Sequence, residues 1–84
     1  MTKEWKEGTI GIPQENGGYK AVHYWVGALK RKSKDGINRG KITNLILKVN
    51  EEIICNYNKG WELELDQNDK AALIAYSILL NEHN

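Results

Sequence analysis

The side chains able to do nucleophilic or acid–base chemistry are few in this chain and are scattered along it. They are His23, Ser33, Cys55, Ser77 and His83. Nucleophilic catalysis needs a nucleophile, a base and an orienting group held within hydrogen-bond reach. No spacing typical of such a group links these five residues. We therefore expect a protein that is not an enzyme, with no catalytic residue, no metal site and no cofactor.

Structural roles explain the most conspicuous of these side chains. Cys55 alternates with Ile53 and Tyr57, which predicts a small core residue, because free cysteine is among the most buried residue types. A single cysteine cannot form an intramolecular disulfide, and this favours a reducing cytoplasm as the location. His23 lies in an aromatic stretch and is interpreted as a packed or surface residue, with contact to a ligand as the alternative.

Anion binding has one candidate, the basic segment of residues 30–41. Asp35 alone opposes its six cations, which are Lys30, Arg31, Lys32, Lys34, Arg39 and Lys41. Gly36 and Gly40 do not have the spacing of a phosphate-binding loop, so the segment is predicted to be an exposed loop whose glycines permit positive φ. Alternatively, its side chains bind phosphate groups or an acidic protein surface.

The C-terminal part of the chain has the opposite net charge. Residues 51–84 contain seven carboxylates and two lysines, whereas the whole chain has a net charge of only +1. This polarity favours oriented association with a charged partner. It makes duplex DNA an improbable ligand, since the acidic half would repel the phosphate backbone.

Three aromatic residues are candidates for contact with a partner. Trp25 lies in the most aromatic stretch of the chain, and Tyr57 and Trp61 flank a turn. Such side chains serve either as core residues or as stacking and hot-spot residues at an exposed surface. Both alternatives remain open for all three.

Periodicity predicts the elements that position these residues. Alternating apolar residues indicate strands over residues 5–12, 19–29, 42–49 and 52–57, the last two joined as a hairpin by a turn at residues 50–51. Apolar residues then recur at spacings of three and four, which predicts a helix from Gln67 to about Glu82 with Asp66 as its N-cap. The predicted fold is a single α+β domain over residues 1–84, a four-stranded, mostly antiparallel sheet followed by one C-terminal helix packed on one face.

The predicted helix is apolar over more than half of its circumference. Ala71, Ala72, Ile74, Ala75, Ile78 and Leu79 form one stripe. Leu73, Tyr76 and Leu80 lie outside it, which predicts a homodimer interface. The alternative is that the first strand and the basic segment cover this flank within one chain. No apolar run is long enough to span a bilayer, so no membrane association is expected.

Three motifs resemble a known family. They are D-G-I-x-x-G-K-I-x-x-L at residues 35–45, N-Y-x-x-G-W at residues 56–61 and L-L-x-E at residues 79–82. They resemble a family of very small, uncharacterised proteins, known only as a domain of unknown function, from low-GC Gram-positive bacteria and their phages. The resemblance covers the second half of the chain and the strand before it. It implies a phage or prophage accessory protein, a class in which small non-enzymatic inhibitors of host defence are common, and it supplies no catalytic residues.

Two functions from different classes follow. In the first, the protein inhibits a host defence system in the host cytoplasm by binding a nucleic-acid-binding or regulatory surface of a host protein. In the second, it sequesters a small phosphorylated nucleotide signal, holding the phosphates with Arg31, Arg39 and Lys41 and stacking the base on Trp25, Tyr57 or Trp61. A nucleic-acid-binding module is a third alternative.

Overall fold

The computed structural model describes residues 3–84, which form five strands and one α-helix. The strands are β1 (Glu4–Pro13), β2 (Tyr19–Ala28), β3 (Ile42–Val49), β4 (Glu52–Asn58) and β5 (Trp61–Leu63), and the helix is α1 (Lys70–His83). The strands form one sheet in chain order, every neighbouring pair is antiparallel, and α1 packs against one face. The α+β class, the antiparallel sheet and the terminal helix are confirmed, whereas the predicted number of four strands is wrong.

The additional strand, β5, follows a tight turn at Lys59 and Gly60. Lys59 adopts a left-handed conformation with φ of 58°, and β5 pairs Trp61 with Tyr57 and Leu63 with Asn56. The alternation of glutamate and leucine in this region predicts an extended segment at a solvated edge. Three residues are too few for periodicity alone to distinguish such a segment from a paired strand.

The hairpin between β3 and β4 is confirmed. Its two loop residues, Asn50 and Glu51, have φ of 50° and 67°. Positive φ at both positions is typical of the two-residue turns whose twist matches that of the flanking strands.

The core lies between the sheet and α1. Along each strand alternate residues face the helix, and the central ones are fully buried: Val22, Val26, Leu45, Leu47 and Cys55. From α1, three alanines and Leu79 are buried against them. Ile74, which the helical periodicity places on the buried stripe, is 47% exposed, so this part of the prediction is wrong.

The helix begins three residues later than predicted. Asp69, rather than Asp66, is the N-cap, and its carboxylate accepts a hydrogen bond from the Ala72 amide at 3.1 Å. The Asp66 carboxylate accepts from the Asn68 amide at 2.9 Å. It therefore stabilises the turn before the helix instead of the helix itself.

The opposite face of the sheet is not covered by the helix. Because side chains alternate along a strand, Glu7 and Thr9 of β1, His23 and Trp25 of β2, and Lys48 of β3 share this helix-free face. Within residues 3–84 no helix has the length and apolar character required to cross a bilayer.

Candidate functional site

The basic segment joins β2 to β3 at the end of the sheet where β1 begins and α1 ends. Backbone hydrogen bonds close it, from Leu29 N to Lys41 O and from Ser33 N to Gly40 O, both at 2.9 Å. The Asn84 side chain accepts from the Ile42 amide and donates to the Ile37 carbonyl, both at 3.0 Å. The loop is therefore fixed to the sheet and to the end of the helix.

Close packing, rather than left-handed backbone, explains the glycines of this loop. Ile37 is only 2% exposed and anchors the loop in the core. Gly36 and Gly40 have negative φ, and a Cβ at Gly36 would collide with the carbonyl oxygen of Gly40. Positive φ occurs instead at Asn38 and Arg39, so the prediction that the glycines supply it is wrong.

The cations of the basic segment project from this fixed loop into solvent. Five of the six are exposed and the sixth, Lys41, is half-buried. Within residues 3–84 none of them forms a salt bridge. A rigid loop with unpaired cations gives this end of the molecule a strong positive field, which steers negatively charged partners.

The three aromatic candidates do not form one surface. Trp25 lies on the helix-free face, whereas Tyr57 faces the helix, is only 7% exposed and donates a hydrogen bond to the Asp35 carbonyl at 2.7 Å. Trp61 packs edge-on against Tyr57, with ring centroids 5.0 Å apart, and is 40% exposed. Tyr57 therefore has no free ring face, and Trp25 and Trp61 are on different parts of the surface.

A hydrogen-bonded chain on the helix-free face was not found from the sequence. The Thr9 hydroxyl lies 3.1 Å from His23 Nδ1, and His23 Nε2 lies 2.7 Å from a carboxylate oxygen of Glu7. The Trp25 ring packs on the imidazole, with centroids 4.5 Å apart. The only sequence signal is the two-residue spacing of Glu7 and Thr9, because their pairing with His23 depends on the register of β1 against β2.

Hydrolases use a hydroxyl, an imidazole and a carboxylate in this order. Here the groove beside these three side chains, about 530 Å³ in volume, is open, and the one lysine among its lining residues, Lys48, lies 3.4 Å from a carboxylate oxygen of Glu51. Carboxylates on both sides disfavour phosphate groups there. The arrangement suits an uncharged or polar contact surface better than an anion site.

A second surface combines exposed apolar and acidic side chains along β5, the residues that follow it and the start of β4. We call residues 52–53 and 61–66 the acidic edge. Ile53, Trp61 and Leu63 are 48%, 40% and 44% exposed. The carboxylates between and beside them are Glu52, Glu62, Glu64 and Asp66. The sequence predicts only a solvated edge here, since a short alternation does not indicate that the apolar residues also face solvent.

The helix flank predicted as a dimer interface is partly covered within the chain. Leu73, Tyr76 and Leu80 are each half-buried and pack against the core. Burial raises the pKa of Tyr76, and its neighbours Cys55 and Tyr57 raise it further. Intramolecular packing thus supplies part of the cover that was expected from a second copy.

Cys55 is a core residue, as predicted. It is fully buried, and burial raises the pKa of its thiol from 9.0 to about 12. A thiol held in the neutral form is not a nucleophile at neutral pH.

One of three comparisons with known proteins finds a family. A family model described as a domain of unknown function (DUF7678) matches residues 4–84. The match covers all five strands and the helix. No curated protein and no solved structure matches the chain significantly.

Proposed function

The chain belongs to the DUF7678 family, and we propose that it is a non-enzymatic protein that inhibits a host defence system by binding a host protein. In this proposal it is a phage or prophage accessory protein, as the family resemblance implies. It covers a nucleic-acid-binding or regulatory surface of its target and performs no chemistry on it.

The observation that carries this proposal is the separation of charge on an elongated molecule. The principal dimensions are 43 × 21 × 20 Å. The basic loop occupies the end where β2 meets β3, whereas carboxylates dominate the β3–β4 turn and the segment before α1. Two fields of opposite sign along one long axis orient a protein partner during encounter and raise the association rate.

The exposed surfaces favour a protein over a nucleotide as the partner. The groove beside Trp25 contains two carboxylates that would repel phosphates, and Trp61 itself belongs to the acidic edge. Tyr57 is the aromatic candidate that contacts the basic loop, through its hydrogen bond to the Asp35 carbonyl, and its ring is too buried to stack on a base as nucleotide recognition requires. A broad surface with scattered apolar side chains is typical of protein–protein contact.

Affinity capture from lysates of low-GC Gram-positive hosts tests the proposal. The purified target should bind the protein stoichiometrically and lose its nucleic-acid-binding or regulatory activity. Arg31→Glu, which weakens the charge separation, should slow association by at least about threefold and reduce its salt dependence, whereas Lys6→Glu on β1, an equal change of charge, serves as the control.

Two results would overturn the proposal. One is saturable binding of a nucleotide in calorimetry together with failure to capture any protein. The other is enzymatic turnover that disappears in His23→Gln. The second result would assign function to the hydrogen-bonded chain on the helix-free face.

A further inference from the structure

We propose that the acidic edge is the docking surface, and that its occupant is a Lys- and Arg-rich, nucleic-acid-binding surface of the partner protein. This inference rests on the proposed function and deepens it, because it names the contact surface and the chemistry of the partner. The acidic edge supplies both the apolar contact area and the charge complementary to such a surface.

Exposed apolar side chains are concentrated at this edge. Six large hydrophobic residues in the described chain are exposed, and three of them, Ile53, Trp61 and Leu63, belong to the acidic edge. Trp61 is held in place from behind by the Tyr57 ring. A rigid tryptophan supported by its neighbours is the typical anchor of a protein interface.

The charged side chains that line the grooves beside these residues have a single sign. Two grooves, each about 300 Å³, meet at Glu64 and Leu65. One is lined by four carboxylates and the other by Glu64 with Trp61 and Tyr76, and no Lys or Arg lines either groove. Within residues 3–84 neither Glu52 nor Glu64 forms a salt bridge. Their charge is therefore available to a basic partner.

The backbone of β5 also favours binding of a partner chain at this edge. β5 is the last strand of the sheet, so one side of it presents backbone groups that another chain can pair with. β5 pairs only with Asn56 and Tyr57, and it leaves the first half of β4 without a neighbour from this strand. A second copy at the same edge would bring Glu62 and Glu64 against their own counterparts, which like-charge repulsion disfavours.

A peptide-binding experiment tests the assignment directly. The probe is a fluorescent peptide of roughly ten residues that alternates arginine and valine, the pattern of a basic strand. Comparison peptides replace arginine with glutamate or valine with serine. We expect saturable binding of the arginine–valine peptide that weakens by at least about tenfold between about 50 and 200 mM salt, and binding of both comparison peptides that is at least about tenfold weaker.

Matched variants locate the binding surface. Leu63→Ser should weaken binding by at least about fivefold, whereas Ile74→Ser, at a position of similar exposure on α1, should not. Glu64→Lys should weaken it by at least about tenfold, whereas Glu15→Lys in the β1–β2 turn should not. Equal effects of the two members of either pair, or equal binding of the arginine–serine peptide, would overturn the assignment. All four positions are at least partly exposed, and thermal unfolding verifies that each variant is folded.

The failure of this inference is distinguishable from failure of the proposed function. If Leu63→Ser and Glu64→Lys still capture and inhibit the host protein as wild type does, docking occurs elsewhere and the proposed function stands. If the wild type captures no protein but binds the arginine–valine peptide as described, the edge binds basic ligands and the proposed function fails. A dimer in sedimentation equilibrium that Leu63→Ser dissociates would identify a second copy as the occupant and overturn the inference.

Discussion

Gly36→Ala should destabilise the protein because the basic loop is held by close backbone contact. At Gly36 φ is −80°, which alanine adopts without strain, so the whole effect is steric. The new Cβ would collide with the Gly40 carbonyl oxygen, a backbone atom that cannot rotate away. Overpacking of this kind costs about 2 kcal/mol, and for a domain of this size that lowers Tm by roughly 8–16 °C.

Gly60→Ala is the matched control for this experiment. Gly60 lies in the β4–β5 turn, and a Cβ there would have no neighbour within 4 Å. Alanine at this position should be neutral or stabilise the protein by up to about 1 kcal/mol, because it restricts the unfolded chain. Thermal unfolding followed by circular dichroism measures both variants.

Proteolysis tests whether the loss of stability in Gly36→Ala originates in the basic loop. Trypsin should cut Gly36→Ala within residues 30–41 faster than it cuts wild type, since the displaced loop exposes its lysines and arginines. Equal Tm values for Gly36→Ala and Gly60→Ala, with equal cleavage of the loop, would refute the reasoning. The loop would then be mobile, and its cations would not form a fixed field.

Three further predictions concern the core, the thiol and the helix cap. Leu79→Ala should cost about 3 kcal/mol because it leaves a cavity under α1, whereas Ile74→Ala should cost less than about 1 kcal/mol in urea unfolding. Cys55 should react with a thiol reagent at pH 8 at least about a hundredfold more slowly in the native protein than in urea. Because its pKa rises from 9.0 to about 12 on folding, the unfolded chain loses this proton first and the free energy of unfolding should fall as pH rises from 9 to 12, less steeply in Cys55→Val. Asp69→Ala should cost about 1 kcal/mol through loss of the helix cap, and Asp66→Ala should cost less; the reverse order would contradict the assigned start of α1.

Local patterns predicted the part of the fold that is determined by short-range chemistry. Alternation located β2, β3 and β4, and the dipeptide Asn50-Glu51 located their hairpin turn, because strands buried on one face need a period of two. The helix start was predicted three residues too early, because Asp66 and Asp69 both have suitable cap side chains and the choice between them depends on where the chain meets the sheet.

The parts that the sequence did not predict depend on how elements meet. α1 is apolar over more than half of its circumference, so its pattern alone did not determine that Ile74 faces solvent. To predict the contact of His23 with Thr9 and Glu7, one must know the register between β1 and β2. To predict the acidic edge, one must know that Leu63 lies outside the core. These features depend on tertiary structure, which a local sequence pattern does not specify.

The order of the strands has a consequence for how the chain folds. Each strand pairs with the one before it, and apart from the basic loop the connections between strands are five residues or fewer. Loop closure for these hairpins costs little entropy, so we expect the sheet to form early and quickly. The helix comes last in the chain, and until it docks, Val22, Val26, Leu45 and Leu47 remain open to solvent. Docking of residues 70–83 is then the step that commits the molecule to its native state, and during synthesis it is also the step before which the nascent chain is most prone to aggregate.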